Sequence, residues 1–136
     1  IVFGDWSSDV CSSDLREQIK KIRDLYNRKK FTKVTFPDFY NWYLNQPKHC
    51  YYCELTEEDI KILLKNEKIK TTRLKTRGRS LELERRNPIS PYDDINNLVL
   101  SCYWCNNSKS DEFTEREFKP IGIEFGKIWK NRLKSI

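Results

Sequence analysis

Asn97-Leu-Val-Leu-Ser-Cys102-Tyr-Trp-Cys105-Asn106 decides the fold. Its short apolar run, Leu98-Val-Leu100, ends on a C-x-x-C pair, and a second pair, Cys50-Tyr-Tyr-Cys53, lies upstream. Each pair offers two sulfurs at the pitch of a tight turn, and two pairs supply the four thiolates of a structural tetrahedral zinc. Paired disulfides and a redox C-x-x-C are the competing chemistries, and no thioredoxin-like βαβ pattern surrounds either pair. The 48 residues from 54 to 101 exceed the spacing of a short zinc ribbon, so a structural unit is built between the knuckles.

Working outward, Ser80-Leu-Glu-Leu-Glu84 alternates apolar and charged residues, the period of a half-buried strand. Asn87-Pro-Ile-Ser-Pro-Tyr-Asp-Asp94 is loop by composition, Leu98–Leu100 is a strand, and a helix is expected from Asn106 to about Glu112. Upstream, Ile19, Ile22, Leu25 and Tyr26 recur at helical spacing over 16–29. Thr35 is an N-cap with Pro37 just inside a helix carrying Phe36, Phe39, Tyr40, Trp42, Tyr43 and Leu44. That aromatic cluster is read as core, with base stacking as the alternative. Thr56-Glu-Glu-Asp59 resembles a capping box opening a helix to about Asn66, with Ile60, Leu63 and Leu64 buried. Thr114 begins a further turn, and residues 121–135 read as a helix with Phe125, Ile128, Trp129 and Leu133 on one face.

Ile1 to Leu15 holds a near-repeat, Ser-Ser-Asp-Val and Ser-Ser-Asp-Leu, and no Lys or Arg. It resembles translated sequencing-adapter read-through and is read as a non-native extension, with a natural disordered N-terminus as the alternative; a signal peptide would need a basic start and an apolar centre. Setting it aside removes Cys11 and leaves four cysteines. It also leaves 26 basic against 17 acidic residues, a net +9 over 16–136, where the whole chain carries +6. A balance of that size in a small domain points to a polyanionic partner, nucleic acid first. No apolar run approaches membrane-spanning length.

The C-x-x-C pair, the strand ending in Leu81-Glu-Leu-Glu84-Arg85, the loop, and Asn97-Leu-Val-Leu-Ser-Cys-Tyr-Trp-Cys-Asn106 together resemble the zinc-knuckle branch of the HNH endonucleases over residues 50–118. The resemblance implies an α+β fold: a small zinc-stabilised ββα-metal finger with flanking helices. Together with the flanking helical patterns, it reads the chain as a helical region at 16–48, an HNH-like domain at 49–119 and a C-terminal helix at 120–136 packing on it. It implies metal-dependent hydrolysis of DNA, Zn2+ on Cys50, Cys53, Cys102 and Cys105, and a catalytic Mg2+ or Mn2+ on Glu84 and Asn106. It places Asn97 as the residue that orients the catalytic loop, and it implies a cytoplasmic protein of prokaryotic or phage origin.

One position departs from the family. Arg85 stands where the general-base histidine belongs, and a guanidinium does not accept a proton from water. Arg85 can clamp a phosphate instead. Tyr92, Asp93 and Asp94 are the alternative bases; the chain's one histidine, His49, sits beside the first knuckle and reads as a loop residue or an outer partner of the zinc. A DNA-binding module that does not cut is the second functional class. Each site residue also has a plainer role: Glu84 as a surface carboxylate, Asn97 as a turn residue, Asn106 as a helix cap. Lys70, Arg73, Lys75, Arg77, Arg79 and Lys109 are the expected phosphate contacts, or else a solvated basic surface.

Overall fold

The computed structural model describes residues 13–71 and 77–136. Among them run α1 (Ser13–Asn27), α2 (Phe36–Asn45), α3 (Glu57–Lys65), β1 (Glu82–Arg85), β2 (Leu98–Ser101), α4 (Tyr103–Lys109) and α5 (Glu115–Lys134). The architecture is α+β, with five helices and one two-stranded sheet among the described residues. The chain divides into two units. One ends at Gln46 and also takes Tyr92–Asn96; the other is Pro47–Pro91 with Asn97–Ile136. None of the described helices is long and apolar enough to cross a membrane.

In the first unit the aromatic residues are core. Tyr26 of α1 packs on Phe31, Phe36 and Phe39 at ring-centroid distances of 5.0, 5.5 and 5.4 Å, and Phe39, Tyr40 and Ile22 are at most 2% exposed. Thr35 caps α2 by accepting from the Asp38 amide at 3.3 Å. Asp93 is the tie of this unit. Its carboxylate accepts from the backbone N–H of Thr32, Lys33 and Val34 at 2.9–3.2 Å and from the Thr32 hydroxyl. Those bonds, the Thr32 hydroxyl foremost, hold its pKa at about 2.

In the second unit, β1 and β2 pair antiparallel, Glu82 opposite Ser101, Leu83 opposite Leu100, Glu84 opposite Val99 and Arg85 opposite Leu98. The strand begins at Glu82 and not at Ser80, because the Leu81 N–H goes to Glu57 Oε2 at 2.8 Å and leaves the ladder. Thr56 and Asp59 exchange both bonds of a capping box at the start of α3. A second box, Thr114 with Glu117, starts α5 six residues before the expected 121. Pro120 lies inside that helix, so the expected 119/120 boundary falls within one continuous element. A proline in the second turn removes the backbone bond to the Arg116 carbonyl and crowds that carbonyl with its ring. Gly122 and Gly126 turn a flat face of α5 to the first knuckle. A Cβ on Gly122 would stand 2.5 Å from Tyr52 Cβ, and one on Gly126 2.9 Å from the Cys53 carbonyl oxygen.

Candidate functional site

The two knuckles meet at the end of β2. The Tyr51 N–H donates to the Leu100 carbonyl at 2.8 Å, which fastens the first knuckle to β2. Within that knuckle the Cys50 N–H reaches Leu55 O, the Glu54 N–H reaches Cys50 O, and Glu54 takes a left-handed φ of 65° to close the turn. Cys102 leaves β2 and caps α4, its sulfur accepting from the Cys105 N–H at 3.4 Å. The helix therefore starts at Tyr103, three residues ahead of the expected Asn106, and the cap is a cysteine sulfur.

The sulfurs of Cys50, Cys53, Cys102 and Cys105 all lie within 4.8 Å of one another, and these four cysteines are buried and free of disulfides. Tetrahedral zinc with Zn–S bonds of about 2.3 Å sets sulfurs roughly 3.8 Å apart; Cys53 and Cys102 Sγ are 3.6 Å apart. Hydrogen bonds from Cys102, Cys105 and Cys53 push the Cys50 thiol down, whereas Cys105 is pushed up, first by Cys102. The four thiols thus compete for ionisation within one buried cluster. A divalent cation ends that competition, since a coordinating thiol gives up its proton. The cluster fits a metal ion.

The strand's period of two puts Glu82 and Glu84 on one face, and α4 lies over it with Asn106 and Lys109. The Asn106 amide donates to Glu82 Oε1 at 2.8 Å, and Arg77 grips the same carboxylate at 2.7 and 3.1 Å. Glu84 is 3% exposed. Lys109 Nζ stands 3.1 Å from its Oε2 and 3.4 Å from its Oε1, and also donates to the Arg85 carbonyl at 2.8 Å. The Tyr52 hydroxyl donates to Glu84 Oε2 at 3.0 Å. Burial pushes the Glu84 carboxyl up, with Lys109 pulling against it. Burial, then the charge of Glu84, drives the Tyr52 hydroxyl far up, so it stays a donor.

The site residues named from the sequence sort as follows. Glu84 and Asn106 share a face, but each is bonded to a different partner. Arg85 pairs with Asp111 at 2.7 Å and leans toward the Ser90 carbonyl. Asn97 binds the loop after Arg85: its Oδ1 accepts from the Asn87 N–H at 3.0 Å, and its amide donates to the carbonyls of Asn87, Ser90 and Pro91. His49 is half-buried with Nδ1 3.0 Å from the Cys50 carbonyl. Tyr92, Asp93 and Asp94 belong to the first unit, Tyr92 under the Lys29 ammonium, Asp94 accepting from the Asn96 N–H. Lys70 and Arg79 are exposed, Arg77 also lies over the Tyr103 ring, and Lys109 is fully buried. Arg73 and Lys75 lie outside the described residues.

Sequence reasoning missed Tyr52 and the inward turn of Lys109. A signal for the second was present. Cys102, Cys105 and Lys109 fall at i, i+3 and i+7, one face of a helix whose other members are buried ligands.

No protein-family model matches this chain, and no curated protein sequence matches it. A solved structure does. The rare-cutting HNH restriction endonuclease PacI, described for its mechanism of DNA perturbation, is similar at a TM-score of 0.61 and 23% identity. The match covers 97% of this chain and 91% of that one. The likeness is one of fold: this α+β chain shares its overall architecture with that HNH enzyme.

Proposed function

We propose that this chain is an HNH-type endonuclease that hydrolyses DNA phosphodiester bonds with Mg2+ or Mn2+, built around a structural zinc on Cys50, Cys53, Cys102 and Cys105. The observation that carries the proposal is the row of oxygen donors on one face of β1, Glu82 and Glu84, with the Asn106 amide laid over it by α4. Carboxylate and amide oxygens are the donors that hard divalent cations take. Glu84 and Asn106 would hold the ion, which when bound supplies charge neutralisation at a phosphate oxygen. Arg85 keeps its proton and offers a planar, bidentate partner for a phosphate. Asn97 holds the loop that follows Arg85 in place through four hydrogen bonds. Lys70, Arg73, Lys75, Arg77 and Arg79 give the phosphate contacts that supply affinity without sequence preference.

A second reading, a DNA-binding module that does not cut, is favoured by one observation: Glu84 already has a cation beside it, Lys109. Plasmid cleavage by the zinc-loaded chain over Mg2+ and Mn2+ separates the two, with Glu84→Ala/Asn106→Ala as the control. Metal-dependent nicking that the double substitution abolishes is the expected result. No nicking, with salt-sensitive DNA binding intact in both proteins, assigns the second reading.

A further inference from the structure

We infer that Lys109 is the resident cation of the Glu84 site, so that a divalent ion binds this carboxylate only by displacing the lysine ammonium. Lys109 Nζ touches three oxygens: Glu84 Oε2 at 3.1 Å, Glu84 Oε1 at 3.4 Å and the Arg85 carbonyl at 2.8 Å. A carboxylate plus a backbone carbonyl is also the ligand set that a hard divalent cation recruits. An ammonium is a compact point charge with three donors, and it answers the same oxygens. Nothing of the lysine side chain reaches solvent, and 4% of the Glu84 side chain does. The ammonium is therefore a built part of the site and not a surface partner.

Its placement is fixed from the metal cluster. Cys102 caps α4 and Cys105 is one turn in, and Lys109 follows Cys105 by four residues on the same buried face. Assembling the four sulfurs thus sets the rotation of α4 and points Lys109 at β1. Lys109 is the last residue of α4, and Ser110 leaves the helix with a φ of 52°. Two cations in one oxygen cage exclude each other. The apparent affinity for the metal is then its intrinsic affinity reduced by the fraction of molecules from which the ammonium has withdrawn.

The inference rests on the nuclease reading only for placing the ion at Glu84, and it is tested without DNA. Mn2+ binding to the zinc-loaded full chain is followed by electron paramagnetic resonance for the wild type, Lys109→Met and Lys109→Met/Glu84→Gln. We expect Lys109→Met to bind Mn2+ at least tenfold more tightly than the wild type, and the added Glu84→Gln to erase the gain. An unchanged or weaker affinity in Lys109→Met overturns the inference, and so does a gain that survives Glu84→Gln. Lysine acetylation of the wild type, read by mass spectrometry, covers the case in which Lys109→Met does not fold. Labelling of Lys109 is expected to rise with the Mn2+ bound, and bound Mn2+ with Lys109 still protected overturns the inference. Failure of plasmid cleavage bears on the nuclease reading alone.

Discussion

Lys109 and Glu84 face each other at 3.1 Å across the β1–α4 interface, neither side chain more than 4% exposed. Removing one member of such a pair strands a buried charge, which costs about 3–5 kcal/mol. Lys109→Met is expected to lose about 3 kcal/mol near pH 8. The loss should shrink toward acid. Burial already raises the Glu84 carboxyl and Lys109 is the main influence lowering it, so its removal sends the folded-state value higher still. A carboxyl raised on folding contributes most below its unfolded value, near 4.5, and loses that contribution as pH climbs through the folded value. Urea unfolding of the wild type and Lys109→Met from pH 5 to 8, compared as differences, checks this. A gap that widens toward acid contradicts it.

The four-cysteine cluster joins segments 49 residues apart, Cys53 to Cys102, and both strand and helix of the site hang from it. Apparent zinc binding energies in small folded sites are about 10–16 kcal/mol, comparable to or larger than the roughly 5–15 kcal/mol net stability of a domain. One zinc per chain is expected by metal analysis. A strong chelator should abolish the near-ultraviolet circular dichroism of the knuckle aromatics, and excess zinc should restore it. Two or no metal equivalents, or a fold indifferent to chelation, would contradict the assignment.

What was legible in the sequence was what local chemistry dictates. Thr35 and Thr56 announced their helices because a hydroxyl three residues ahead of an amide is a local bond. Two C-x-x-C pairs announced one cluster because paired tight turns of this kind bring four sulfurs together, here within 4.8 Å, as a tetrahedral ion requires. Three features were misread. The start of α4 moved because the cap is a sulfur. The start of α5 moved because its capping box, Thr114 with Glu117, opens the helix ahead of Pro120. Lys109 read as a phosphate contact because a lysine in a basic chain is usually solvated, and its carboxylate partner lies 25 residues away in sequence. The bonds of Asp93 to Thr32–Val34 span about sixty residues and left no local trace either.

Gly122→Ala would ordinarily favour a helix by about 1 kcal/mol. Here the new methyl would sit 2.5 Å from Tyr52 Cβ and 2.9 Å from the Tyr52 backbone, so α5 or the first knuckle must move. Overpacking of this kind costs about 1–3 kcal/mol. A net destabilisation of about 1–2 kcal/mol is expected in urea at fixed zinc, and it should exceed that of Gly126→Ala, whose methyl meets one carbonyl oxygen at 2.9 Å. A Gly122→Ala protein as stable as the wild type would show that the glycine face is not a packing requirement.

Asn97 serves four backbone groups of the 87–91 loop from one buried amide. Asn97→Ala leaves them unmet and is expected to destabilise the protein by about 2 kcal/mol. Asn97→Asp keeps the acceptor for the Asn87 N–H and drops the donors. Hydrogen exchange should therefore accelerate at Asn87 in the alanine variant and stay slow in the aspartate variant. Equal acceleration in both would place the constraint elsewhere.

DNA binding, under the proposed function, should follow exposure and not charge alone. Taking away one side chain that neutralises a phosphate lowers the slope of log affinity against log salt by about 0.9. Lys70 and Arg79 are exposed, so alanine at each is expected to reduce the slope by about that amount, measured by fluorescence anisotropy across a salt series. Lys109 is fully buried against Glu84, so Lys109→Met should leave the slope where it is, even though it removes a positive charge from the helix beside the catalytic strand. A fall in slope for Lys109→Met equal to that for Lys70→Ala would mean that the ammonium leaves Glu84 to meet the phosphate, and the buried pair would then be a resting state of the free protein.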